Sequence, residues 1–102
     1  MTITLSVLID DKFISCNYLS SNMRCLLNKL SIPVNKEFVG EIKFENLLEI
    51  IHKCIAEVHA HNKLAIEHED QFEYYDAMAR RFQEILGIFS LAYTFGKPVT
   101  YS

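Results

Sequence analysis

Residues 71–89 read QFEYYDAMARRFQEILGIF. Phe72, Tyr75, Ala79, Phe82, Leu86 and Phe89 follow alternating steps of three and four. That spacing predicts a helix that buries one stripe. Aromatic bodies dominate the stripe, and each large apolar side chain contributes about 1.5–3 kcal/mol when fully buried. Glu69, Asp70, Glu73 and Asp76 occupy the other side. The helix is expected to follow a turn near Glu67–Glu69, with Asp70 as a cap, and to run at least to Leu86. Gly87 weakens it by about 1 kcal/mol relative to Ala. Ile88–Phe95 either continues the helix or opens a short new one, and Gly96 and Pro98 form a stop signal.

A second periodic stretch precedes it. From Lys43 to Ala65, the residues Phe44, Leu47, Leu48, Ile51, Ile55, Val58 and Asn62 share one helical face. Glu49 with Lys53, and Lys53 with Glu57, stand four apart on the solvent side. The expected core therefore comprises Leu47, Leu48, Ile51, Ile55, Val58, Phe72, Tyr75, Phe82, Leu86 and Phe89.

The N-terminal third is less regular. Thr2–Ile9 alternates polar and apolar residues, the period of a strand. The same stretch also places Leu5, Leu8 and Ile9 on one side of a helix, and the only other β-rich piece is Val99–Tyr101. The reading favours helix. Asp10 and Asp11 then serve as caps for a segment starting near Lys12, whose stripe is Phe13, Cys16, Leu19, Met23, Leu26 and Leu30. Ser20-Ser21-Asn22 kinks that stripe or divides it into two helices, with Ser20 or Ser21 capping the second. Pro33 ends it, Val34–Gly40 is a connection, and Thr100–Ser102 is a loose tail. The expected fold is all-α: one small helical bundle over residues 1–102, with a possible short β piece at the N-terminus.

A chain of 102 residues is one domain with enough length for a real core. Half its residues are hydrophobic, and the mean hydropathy is +0.09, which leaves apolar surface for a partner. A net charge of −3 and a pI near 5.7 argue against direct nucleic-acid binding and favour a basic partner. Three cysteines without a Cys-x-x-Cys pair do not form a disulfide framework. Residues 1–8 lack the basic start and cleavage site of a signal peptide, and no apolar run is long enough to span a bilayer. A cytoplasmic location without membrane attachment is expected.

Reactive motifs are sparse. Glu49-Ile50-Ile51-His52 is a single Glu-x-x-His, whereas carboxylate-bridged di-metal bundles use two. His59 and His61 diverge on a helix, and His68 adds no favourable ligand spacing, so no metal is expected. Cys54 and His52 diverge in the same way, and no nucleophile elbow, phosphate loop or dinucleotide fingerprint occurs. The chain reads as a non-enzyme without cofactor. The remaining feature is Glu67–Asp76, with five carboxylates, Tyr74 and no Lys or Arg. A helix dipole favours acids at its start, while tyrosine among carboxylates is a frequent interface composition. Glu67, Glu69, Asp70, Glu73, Tyr74 and Asp76 are the candidate partner-binding residues.

With its stripes at Phe44–Val58 and Phe72–Phe89 flanking that acidic stretch, the chain resembles an immunity protein of bacterial contact-dependent growth inhibition. The resemblance implies binding and neutralisation of a cognate toxin domain. Such toxins include nucleases, tRNases among them, whose basic channels an acidic surface would fill as a phosphate mimic. It implies a protein partner; a monomer when free is expected over a dimer. The alternatives are a small homodimeric regulatory or adaptor module and a metal-dependent helical enzyme.

Overall fold

A computed structural model describes residues 1–102. It corrects the all-α expectation: three helices pack on a four-stranded antiparallel sheet. Thr2–Ile9 is strand β1 and Lys12–Leu19 is strand β2, paired from Thr2↔Leu19 to Ile9↔Lys12. Asp10 and Asp11 are not helix caps. Their φ values of 50° and 63° make the two-residue turn of a β-hairpin. Aspartate tolerates this left-handed geometry, whose twist matches that of the flanking strands. β1 turns Ile3, Leu5, Val7 and Ile9 into the core and Thr2, Thr4, Ser6 and Leu8 away from it.

Ser20–Lys29 forms α1, so Ser20-Ser21-Asn22 opens a helix. Neither serine caps it through its side chain, and the flanking residue is Leu19. α1 ends well short of Pro33. It buries Met23, Leu26 and Leu27. Gly40–Ile42 is strand β3 and Val99–Tyr101 is strand β4, which replaces the expected loose tail. The sheet order is β2-β1-β4-β3, and Thr4 and Ser102 exchange backbone hydrogen bonds of 2.8 and 3.0 Å. Gly40 is required by close approach, because a Cβ there would run into the Tyr101 ring.

Leu47–Glu67 forms α2 and Phe72–Phe95 forms α3, two long helices packed as a hairpin. Short 3₁₀ turns at Phe44–Asn46 and Glu69–Gln71 precede them. α3 passes through Gly87 without a break and ends where Gly96 takes φ 66°. Its buried line is Met78, Ala79, Phe82, Ile85, Ile88, Phe89 and Ala92. The line on α2 is Leu47, Ile50, Cys54, Val58, His61 and Ala65. This corrects the core assignment. Leu47, Val58, Phe82 and Phe89 are buried; Ile51, Tyr75 and Leu86 are half-buried; Leu48, Ile55 and Phe72 are exposed. The stripe on α2 is rotated by about one residue, because the face toward α3 and the sheet runs through Ile50 and Cys54. Phe72 begins α3 at the far turn, beyond the residues that pack on the sheet.

One cluster joins the inward residues of β1, Ile42, Val99 and Tyr101 to α1, α2 and α3. Cys54 Sγ–H donates to the Phe82 carbonyl at 3.1 Å and ties α2 to α3 at the depth of the core. Burial, with a smaller contribution from Glu57, pushes this thiol up to about 12. Tyr18 Oη–H donates to Glu84, pinning β2 to α3. Burial raises the Tyr18 hydroxyl and takes Cys16 to about 11, with Glu84 adding to both. No helix is long and apolar enough to cross a membrane.

Candidate functional site: the tip of the helical hairpin

The expected partner-binding residues lie together at the turn between α2 and α3. His68 ends α2, its N–H bonded to the Leu64 carbonyl at 2.9 Å. Its own carbonyl accepts from Gln71 N–H at 2.9 Å, closing a tight turn. That turn places Glu69, Asp70 and Glu73 at the start of α3, where the positive end of the helix dipole stabilises carboxylates.

The carboxylates divide into two groups. Glu67 meets Lys63 at 3.8 Å, and Asp76 pairs with Arg80, each one helical turn away. These two are answered inside the molecule. Glu69, Asp70 and Glu73 have no cation within salt-bridge distance and are all exposed. The set that presents uncompensated charge is therefore narrower than the sequence suggests.

Two aromatic residues stand among these acids. Tyr74 is 59% exposed and Phe72 is 48% exposed. With Glu69, Asp70, Gln71 and Glu73 they line one shallow hollow. Phe72 is the site residue that sequence reasoning missed, since its spacing fitted the core stripe. The available signal was its position, next to the turn and first in the helix.

Tyr75 supports this surface from below. Its ring lies edge-on to Tyr74 at 5.3 Å and tilts against His68 at 5.8 Å and His61 at 6.3 Å. His61 is buried, with Nδ1 2.8 Å from the Glu57 carbonyl and 3.4 Å from the Glu57 carboxylate. Its ring packs 5.4 Å from Phe82. His61 is thus a packed element of the helix interface. His52, His59 and His68 are exposed. No group of three or more His, Cys, Asp or Glu side chains is placed to hold a metal ion.

No protein-family model, curated protein or solved structure matches the chain. The chemistry of the tip therefore carries the functional reading. The helical end offers three carboxylates without internal cations beside two partly exposed rings. This composition suits a surface rich in Lys and Arg, with the rings as anchors and the acids steering encounter.

Proposed function

We propose that the chain is an immunity protein that binds a basic toxin domain, a nuclease delivered by contact-dependent growth inhibition, through the tip of the α2–α3 hairpin. The observation that carries this reading is the group Glu69, Asp70 and Glu73, exposed and without internal cations around Phe72 and Tyr74. In a basic substrate channel these carboxylates take the places of phosphates. Long-range attraction speeds association, while burial of the two rings slows release. Inhibition is stoichiometric and needs no cofactor. The resemblance to immunity proteins supplies the partner class, and the charge and aromatic arrangement supplies the mode of contact.

The test begins at the chain's own gene. The gene directly upstream is expected to encode a large secreted protein with a variable C-terminal domain. Mixed with that purified domain, the chain forms a one-to-one complex and abolishes its nuclease activity. Absence of such a gene, or a domain that remains active in the presence of excess chain, overturns the proposal.

A further inference from the structure

The sheet has two unlike edges. β3 is three residues long, the short edge by which proteins avoid pairing with other chains. β2 is eight residues long, with no proline and a single charge at Lys12. Ser20 N–H donates to the Met1 carbonyl at 3.0 Å, which fixes the alternation of the β1–β2 ladder. Residues 12, 14, 16, 18 and 20 direct their backbone groups toward β1. The N–H groups of Phe13, Ser15, Asn17 and Leu19 and the carbonyls of Phe13, Ser15 and Asn17 point outward without a partner, while the Leu19 carbonyl opens the hydrogen-bond ladder of α1. Phe13 is 70% exposed and Leu19 57%, while Ile14 is also exposed.

We propose that β2 is a self-association edge, on which a second copy of this chain pairs antiparallel to make one continuous eight-stranded sheet. A two-fold axis through Cys16 satisfies every outward N–H and C=O of both copies. In that register Phe13 lies opposite Leu19 of the second copy, Ile14 opposite its Tyr18, and Ser15 opposite its Asn17. Each exposed apolar residue of the strand thereby gains an apolar or aromatic neighbour. Like charges do not meet, because residues 13–22 carry none and Lys12 falls opposite Ser20 of the second copy.

Charge complementarity favours the same occupant. The Asp10–Asp11 turn of one copy extends past Lys12 to the level where β2 of the other copy gives way to α1, whose first turn has no side-chain cap bond and no acid of its own. The second copy brings two carboxylates to a helix N-terminus that lacks them. This edge makes the free protein a dimer, in place of the expected monomer, and does not depend on the acidic tip.

Sedimentation of the full chain over a wide concentration range tests the edge. Ser15→Pro removes an outward N–H and leaves the β1–β2 ladder intact, since proline is tolerated at such edge positions. Wild type sediments as a dimer, and Ser15→Pro weakens dimerisation by at least about 100-fold with an unchanged circular dichroism spectrum. Asp10→Asn with Asp11→Asn keeps the left-handed turn and weakens dimerisation by about tenfold. A wild type that remains monomeric at high concentration overturns the proposal, as does a dimer that Ser15→Pro leaves intact. Should Ser15→Pro fail to fold, amide exchange on wild type decides. Protection of the Phe13, Ser15, Asn17 and Leu19 amides rises with protein concentration if the edge pairs, and its absence in a sedimenting dimer refutes the edge.

Discussion

The α2–α3 hairpin has a root and a tip, built from the same two helices under opposite demands. At the root, Leu47, Cys54, Phe82, Ile85 and Phe89 have no exposed surface and share one core with β1, β4 and α1. At the tip, His61 and Ala65 are the only buried residues from 61 to 76. The root spends its apolar residues on the fold. The tip leaves Phe72 and Tyr74 partly in water beside three carboxylates that no internal cation answers. An element that carries little of the core is free to carry a binding surface, and the sheet is what relieves the tip of that duty.

The largest expected effect breaks the root. Phe82→Ala removes a fully buried ring between α2, α3 and the sheet and costs about 3–5 kcal/mol, read as a lower urea midpoint. Phe72→Ala is the matched change at the tip. It costs under about 1 kcal/mol of stability, because nearly half of that residue is already solvated, and under the proposed function it weakens binding of the partner domain. Equal losses in the two variants would erase the contrast.

A pH series sharpens the contrast from the root side. In the folded chain Cys54 is held up to about 12, against an ordinary value near 9. The raised folded value means that the thiol's contribution is complete below about pH 9, where both states are protonated. Above that, unfolded chains release the proton and folded ones retain it, so stability falls as pH climbs toward 12. Urea midpoints between pH 8 and about 11 should therefore decline less steeply in Cys54→Ala than in wild type. The smallest effect is at the tip ion pairs: Lys63→Ala changes stability by less than about 0.5 kcal/mol, since exposed i,i+4 pairs contribute little.

The root and tip also differ in how far the sequence announces them. α3 is legible because its stripe persists over many turns and Gly96 ends it. β1 is ambiguous, since Leu5 and Ile9 fit both a helical face and an inward strand face. Its deciding partner, β4, is three residues long and lies more than ninety positions away. In β2, Phe13, Cys16 and Leu19 mimic a helical stripe by accident. As a strand, Cys16 turns toward the core while Phe13 and Leu19 point outward. The two aspartates between alternating runs were the available hairpin signal. The acidic tip was legible because like charges gather where water solvates them. Phe72 was not, because periodicity shows which side of a helix a residue occupies but not whether another element stands opposite.

The most direct measurement pairs stability with binding in the triple variant Glu69→Lys, Asp70→Lys, Glu73→Lys. If the tip binds and the root folds, the variant still unfolds in one cooperative transition, with a stability loss of about 1–3 kcal/mol from the carboxylates removed at the helix N-terminus. Titration against the proposed toxin domain is then expected to show affinity lower by at least about 100-fold, mostly through slower association. Wild-type affinity in a folded triple variant would contradict a docking role for the acidic tip.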